Sequence, residues 1–229
     1  MIAPFIIMLV LCFSVARFAM TRYEAALVQG RKFTIPGGRT AGAVAREFLD
    51  ANGASDVNIT EHTALVSDYF DAGRRCLFLN ANVMNGTDAG ALAVALHEAG
   101  HAMQTGSAAA LEWRNNSIKL TRYVPALVGA VLLALFVFKI MPILSALRIE
   151  AVMCLVVMVM NVMSLPIEFN ASKRALAFLE DRMDKHSRFV ETMSALLRGV
   201  AMRDTGALIR SPLYCLFGLL PVGGKLRPR

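Results

Sequence analysis

The stretch GALAVALHEAGHAMQ, from Gly90 to Gln104, decides how this chain folds and which chemistry it could support. Its small and apolar residues recur with the spacing of a helix. On a helix, His97 and His101 lie about 40° apart around the axis, so both imidazoles point toward one place. Glu98 lies about 100° round from His97, where its carboxylate can reach a metal-bound water without binding the metal. The pattern H-E-x-x-H therefore predicts two zinc ligands, His97 and His101, and a general base, Glu98.

The composition places much of the chain in a lipid bilayer. Of its 229 residues, 56% are apolar and 18% are charged, which is too apolar for an ordinary soluble protein. Long apolar runs occupy residues 1–16, 123–147, 151–167 and 206–224. The first three predict transmembrane helices. The last run contains Arg210, Pro212 and Pro221, so it predicts a fourth segment that either crosses or re-enters the membrane.

The first apolar run has two interpretations. Ser14-Val15-Ala16 is a small-x-small triplet of the kind found at the cleavage site of a secretory signal. However, a signal peptide usually begins with positive charge, and no Lys or Arg precedes this apolar stretch. We therefore expect an uncleaved membrane anchor.

The net charge of +7 favours a membrane topology over nucleic-acid binding. Basic residues flank the apolar runs and do not form a stripe with interleaved aromatic residues. Seven basic residues lie near the ends of the segment between the first two spans: Arg17, Arg22, Arg31, Lys32, Arg114, Lys119 and Arg122. By the positive-inside rule this segment is cytoplasmic in an integral membrane protein. The basic tail of Lys225, Arg227 and Arg229 conflicts with a full fourth crossing.

The segment between the first two spans has the patterning of a small α+β domain. Thr40 is a suitable N-cap, Gly53 a suitable stop, and Asp88 a suitable cap for the H-E-x-x-H helix. The predicted elements are a helix over 41–52, strands over 57–59 and 75–79, a turn at 71–74, and the motif helix, which stops near Gly106. A strand just before a metal helix is typical of zincins. Residues 76–80 are then either a substrate-docking strand edge or an ordinary edge strand.

These patterns together predict a mainly α membrane protein. We expect a zincin-like α+β metallopeptidase domain with three to four transmembrane helices. The predicted parts are an anchor (1–20), a soluble domain with the H-E-x-x-H helix (21–122), a transmembrane helical hairpin (123–167), a helical segment that completes the metal site (168–203), and a fourth membrane or re-entrant helix with the basic tail (204–229).

A catalytic zinc requires a third protein ligand. The hairpin returns the chain to the side that it left, so the residues after it face the same compartment as the motif helix. The candidates are His62, His186, Glu168, Glu180 and Asp181. Glu168 stands out because a charge at the exit of a membrane helix is costly unless it has a partner, although it could simply mark the water interface. His62 and His186 have polar surroundings, which favours solvated positions.

Two segments carry a resemblance to a known family. Gly90 to Gln104 together with Leu165 to Leu176 (LPIEFNASKRAL) resembles the bacterial membrane-bound neutral zinc metallopeptidases of the YugP-like family. Residues 43–57 and 67–71 also resemble that family's soluble segment. The resemblance implies that His97, His101 and Glu168 hold Zn²⁺, that Glu98 activates the water, and that the protein cleaves peptide bonds at a bacterial plasma membrane.

The chain departs from the related patterns at two positions. Ser172 stands four residues after Glu168, where similar membrane zinc peptidases have an Asp, so a carboxylate that would orient a ligand histidine is missing. At residues 68–71 the chain reads Asp-Tyr-Phe-Asp, whereas the family tends to read Asp-His-Tyr-Asp-Pro. Tyr69 is therefore the candidate for a hydroxyl that stabilises the oxyanion, because Phe70 cannot do so.

The leading functional hypothesis is a zinc-dependent endopeptidase that acts on proteins or peptides. A location at the membrane suggests membrane or misfolded proteins as substrates. One alternative is a non-catalytic membrane scaffold or adaptor with a structural zinc, although such a protein would have little reason to keep Glu98. Another is a metal transporter that uses Lys139 and Glu150, but both lie near the expected hairpin turn, where snorkelling explains them more simply.

Overall fold

The computed structural model describes residues 2–62, 67–104 and 108–219. This part of the chain is mainly helical with one small sheet, which agrees with the predicted mainly α class. The helices are α1 (Ala3–Gly30), α2 (Ala41–Ala51), α3 (Ala81–Met84), α4 (Ala89–Ala102), α5 (Ala108–Val137), α6 (Ile143–Arg182), α7 (Arg188–Ala201), α8 (Arg203–Gly206) and α9 (Ser211–Leu219). The strands are β1 (Asn58–His62), β2 (Tyr69–Asp71) and β3 (Cys76–Asn80), and short 3₁₀ turns occupy Pro36–Gly38 and Ala207–Arg210.

Three of these helices are long and apolar enough to cross a membrane. Helices α1, α5 and α6 contain windows of mean hydropathy 2.1, 2.0 and 2.2. Even α1, with 28 residues, is about 42 Å long, more than the hydrocarbon core of about 30 Å. Helices α5 and α6 extend beyond the apolar runs. The predicted fourth segment is short where it is described, and its end and the basic tail lie outside the described residues.

The chain divides into two compact units. Of the described residues, the first unit, here called the hairpin unit, comprises 2–21, 112–165 and 202–219. The second, here called the site unit, comprises 22–62, 67–104, 108–111 and 166–201. The H-E-x-x-H helix and Glu168 both belong to the site unit.

Buried polar contacts join the helices of the hairpin unit. Thr121 and Asn161 hydrogen-bond to each other across α5 and α6, with Thr121 Oγ1 3.0 Å from Asn161 Oδ1 and 2.7 Å from Asn161 Nδ2. Pro125 lies inside α5 and has no backbone N–H to donate to the helix. Next to it, Ser211 Oγ accepts a hydrogen bond from Ala126 N at 3.2 Å and donates one to Arg122 O at 3.0 Å. The Ser211 side chain thus provides hydrogen bonds for backbone groups that would be costly to leave unpaired in an apolar environment.

The sheet of the site unit has the order β1-β3-β2. Strand β1 is parallel to β3, with Asn58 opposite Cys76, and β2 is antiparallel to β3, with Tyr69 opposite Phe78. The expectation that residues 76–80 form an edge strand for substrate docking is therefore wrong, since β3 is paired on both sides. The sequence did not predict β2 because a three-residue strand is too short to show alternation.

The polar caps of the site unit follow the sequence expectations. Thr40 Oγ1 accepts from Ala43 N at 3.3 Å at the start of α2. Asp88 Oδ1 accepts from the amides of Gly90 and Ala91 at the start of α4. Helix α4 ends at Ala102, four residues before the predicted stop, because its last turn tightens into three-residue hydrogen bonds such as the one from Gln104 N to His101 O.

Helix α4 lies at the centre of the site unit's core. All of its residues are buried. Its leucines at 92 and 96 pack in one cluster with Phe48 of α2, Leu179 of α6 and Leu197 of α7. Because α4 is surrounded by packed helices, the histidines that it carries are held inside the protein and not at its surface.

Candidate metal centre

Helices α4 and α6 bring three metal-ligating side chains together. One ligand atom from each of His97, His101 and Glu168 lies within 4.8 Å of the others. Glu168 Oε2 is 3.0 Å from His97 Nε2 and 3.4 Å from His101 Nε2. The three residues are at most 3% exposed. Among the residues that the structure describes, this is the one group of three or more such side chains close enough to share a metal ion.

A close helix contact explains how α6 comes so near to α4. Gly100 of α4 packs against the backbone of Ala171 in α6, so that a Cβ on Gly100 would lie 2.5 Å from Ala171 O. Gly100 precedes His101, and Ala171 lies three residues after Glu168. The absence of a side chain at Gly100 thus permits the approach that brings the carboxylate to the imidazoles.

The hydroxyl of Ser172 orients His97. Its Oγ lies 2.8 Å from His97 Nδ1 and donates to Leu197 O of α7 at 2.9 Å. Because that hydrogen is used on Leu197, the oxygen is left to accept from His97 Nδ1–H, which turns the Nε2 lone pair toward Glu168. Ser172 therefore gives His97 a hydrogen-bond partner at the position where the sequence lacks a carboxylate, and a helix carbonyl holds its hydroxyl in place.

A second side chain orients His101, and sequence reasoning missed it. Gln104 is 7% exposed, and its Oε1 lies 2.9 Å from His101 Nδ1. Its amide nitrogen donates to Ile167 O at 2.8 Å and to Asn170 Oδ1 at 3.0 Å. The sequence offered one signal for this contact, which is that Gln104 follows His101 by three residues and that residues three apart are neighbours on a helical turn.

The environment of His97 favours the neutral imidazole. Burial lowers the pKa of His97, and the hydrogen bond that the protonated ring would donate to Glu168 opposes that shift with a smaller effect. At neutral pH the ring is therefore uncharged. Since a metal binds the lone pair of a neutral imidazole, His97 is already in the form that a ligand needs.

The three side chains fit a zinc ion. Zinc is bound by imidazole nitrogen and carboxylate oxygen, and ligand atoms about 2.0–2.1 Å from a tetrahedral zinc lie about 3.3 Å apart. The separations of 3.0 and 3.4 Å are close to that value. His101 Nε2 is buried and makes no hydrogen bond within the described part of the chain. A buried polar atom without a partner is costly, and a metal at this position would satisfy it.

Glu98 and Tyr69 have different surroundings. Glu98 lies on α4 between the two histidines and is fully buried. Tyr69 is half-buried on β2, where its ring stacks on Phe78 with centroids 4.9 Å apart. Burial raises the pKa of Tyr69, so its hydroxyl stays protonated well beyond neutral pH. Within the described ranges, Tyr69 makes no hydrogen bond or ring contact with His97, His101 or Glu168.

The other ligand candidates lie elsewhere. His186 is exposed, as expected, but His62 is 5% exposed at the end of β1, so the expectation of a solvated His62 is wrong. It lies opposite Asn80 in the pairing of β1 with β3. Glu180 and Asp181 lie further along α6, three turns beyond Glu168.

A cavity of about 330 Å³ lies beside Gln104, the hydrogen-bond partner of His101. It is lined by Met103, Gln104, Ala110, Leu111, Pro166, Ile167, Asn170 and Arg174. Two of these residues connect it to the metal ligands, because Gln104 hydrogen-bonds to His101 and Ile167 precedes Glu168.

Comparison with known proteins shows to which family the chain is similar. Residues 5–211 match a family model described as "Putative neutral zinc metallopeptidase". Over 172 residues the chain is 27% identical to "Putative membrane protease YugP" of Bacillus subtilis (strain 168), and this alignment covers 75% of each protein. No solved structure matches the chain.

Proposed function

The chain belongs to the neutral zinc metallopeptidase family, and from this premise we propose that it is a membrane-embedded, zinc-dependent endopeptidase. In this proposal His97, His101 and Glu168 hold the zinc ion and Glu98 is the general base. The observation that carries it is the convergence of three ligand atoms within 4.8 Å on the H-E-x-x-H helix and α6. The site unit would then be a zincin-like domain in which α4 is the metal helix.

The side chains have separate roles in peptide hydrolysis. When bound, zinc supplies Lewis acidity, which lowers the pKa of a coordinated water from 15.7 to about 7 and polarises the scissile carbonyl. The Glu98 carboxylate takes the proton from the attacking water and passes it to the leaving amine. The Tyr69 hydroxyl, protonated at neutral pH, is our candidate for a hydrogen bond to the oxyanion.

The membrane helices support a proposal about the substrates and the location. We propose that proteins or peptides are cleaved next to the membrane, including membrane or misfolded proteins. The chain would lie in a bacterial plasma membrane, with the lipid bilayer around α1, α5 and α6. The seven basic residues between the first two spans support a cytoplasmic position for the active site in this proposal. The domain boundaries predicted from the sequence belong to the same proposal.

The test is a comparison of zinc content and proteolysis in purified full-length protein. Glu98→Gln should keep zinc and lose cleavage of a casein-type substrate, because an amide cannot accept the proton from water. Glu180→Gln is the matched control, since it makes the same change on α6 outside the metal centre. Undiminished proteolysis by Glu98→Gln would contradict the assignment. Zinc binding without any cleavage by the wild type would favour the scaffold alternative.

A further inference from the structure

A chain of hydrogen bonds runs from the surface of α6 to the metal ligand His101. We propose that Arg174, Asn170 and Gln104 are positioning residues that hold His101 as the Nδ1–H tautomer, with the Nε2 lone pair facing the metal centre. The inference rests on the proposed function in so far as His101 is a metal ligand. The tautomer itself follows from hydrogen bonds that are present without a metal.

Arg174 sets the direction of the chain. Its Nε lies 3.0 Å from Asn170 Oδ1. A guanidinium can only donate hydrogen bonds, so the Asn170 atom that faces Arg174 must be the oxygen. This matters because a side-chain amide can be turned by 180° without changing its shape, and its orientation has to follow from its partners.

The orientation of Asn170 determines that of Gln104. One end of the Gln104 amide lies 3.0 Å from Asn170 Oδ1 and 2.8 Å from Ile167 O. Both of these atoms are oxygens that only accept, so this end must be the NH₂ group. The oxygen of Gln104 is then the atom that faces His101.

The oxygen of Gln104 in turn determines the tautomer of His101. Gln104 Oε1 lies 2.9 Å from His101 Nδ1, and an amide oxygen has no hydrogen to give. Nδ1 must therefore carry the hydrogen, and in the neutral ring Nε2 has the lone pair. Nε2 is also the buried atom that makes no hydrogen bond among the described residues.

His97 is oriented through a different kind of group. Its Nδ1 faces the hydroxyl of Ser172, whose hydrogen is donated to Leu197 O, so the oxygen accepts from His97 Nδ1–H. The two ligands are thus oriented by different means, His97 through a hydroxyl held by a backbone carbonyl and His101 through an amide fixed from the far end by an arginine.

The tautomer can be read in metal-free protein. The chain has four histidines, so a long-range ¹H–¹⁵N spectrum of ring-labelled full-length protein in detergent is simple enough to assign by substitution. We expect the Nδ1–H pattern for His101 in the wild type and its loss in Gln104→Leu. Gln29→Leu makes the same change on the exposed face of α1 and should leave His101 unaltered.

The second readout is the affinity for Co²⁺, followed through its visible absorption. Loss of a hydrogen-bond partner of a ligand histidine lowers metal affinity by about 10- to 100-fold, and we expect this for Gln104→Leu. Arg174→Ala should weaken binding less, since it removes only the far end of the chain. Lys173→Ala, which removes a neighbouring positive charge, should not change it.

The two proposals fail in different ways. If the wild type binds no Co²⁺, or if Glu168→Ala binds it as well as the wild type, the proposed metal centre is wrong. If metal-free wild type shows His101 as the Nε2–H tautomer, or if Gln104→Leu changes neither the spectrum nor the affinity, the positioning chain is wrong. The wild-type spectrum shows which tautomer His101 adopts even if Gln104→Leu does not fold.

Discussion

Gly100 lies against the backbone of Ala171 so closely that a methyl group on Gly100 would be 2.5 Å from Ala171 O. This contact joins the two helices that carry all three proposed ligands. A backbone atom cannot move aside as a flexible side chain can, so any substitution at Gly100 must push α6 away from α4.

Gly100→Ala should therefore disrupt the metal centre. Overpacking of this kind costs about 1–3 kcal/mol of folding free energy, and the shift of α6 carries Glu168 away from the imidazoles. We expect a lower unfolding temperature in metal-free protein and a lower zinc content after reconstitution. Gly129→Ala is the control, because a Cβ there would lie 3.5 Å from Glu150, an ordinary contact. Equal zinc content in Gly100→Ala and the wild type would show that the contact does not set the geometry.

Glu168→Ala should lose zinc. The variant removes the carboxylate whose Oε2 is 3.0 Å from His97 Nε2, and two imidazoles alone hold zinc weakly. Zinc is measured by elemental analysis of purified protein at defined free zinc. Glu180→Ala, on the same helix, should keep the wild-type content. Full occupancy in Glu168→Ala would mean that another residue is the third ligand.

Ser172→Ala should weaken zinc binding without abolishing it. The hydroxyl accepts from His97 Nδ1 and donates to Leu197 O, so its loss frees the His97 ring to rotate. We expect an affinity about 10- to 100-fold lower in a chelator competition. Ser194→Ala makes the same change elsewhere on the site unit and serves as the control. An unchanged affinity would rule out a positioning role for Ser172.

An ion pair at the surface of the site unit should give a pH-dependent stability. Glu47 hydrogen-bonds to Arg39 and, at 3.1 Å, to Arg182 Nε, and the bond to Arg39 is the main reason that the pKa of Glu47 lies below its ordinary value. Because the pKa is lower in the folded state, the stabilisation is present above the unfolded pKa and is lost as the pH falls through the folded pKa.

The measurement is the unfolding free energy of metal-free Glu47→Gln and wild type at pH 7 and pH 3. The variant should be less stable at pH 7 by no more than about 1 kcal/mol, because the pair is exposed. At pH 3 the difference should shrink, since Glu47 is then increasingly protonated. A difference that is the same at both pH values would show that the charge of Glu47 is not its cause.

Much of the architecture could be predicted from local patterns. The three long apolar helices follow from uninterrupted apolar runs, and α2 and α4 begin at the caps that Thr40 and Asp88 predict. Strand β2 could not be predicted because three residues carry no periodicity. Because β2 was not predicted, β3 was wrongly expected to be an edge strand. In the sheet, β2 pairs with the side of β3 that is not paired with β1.

The pair of histidines and the glutamate between them follow from local sequence alone, because a four-residue spacing on a helix brings side chains together whatever surrounds the helix. The contacts between distant segments depend on how the helices pack. His97 and Glu168 are 71 residues apart in the chain, and the packing of α6 on α4, with Gly100 against Ala171, brings His97 Nε2 and Glu168 Oε2 to 3.0 Å. It also placed Ser172 and Gln104 behind the two imidazoles. Hydrogen-bond partners of this kind are set by helix packing, which no local pattern encodes.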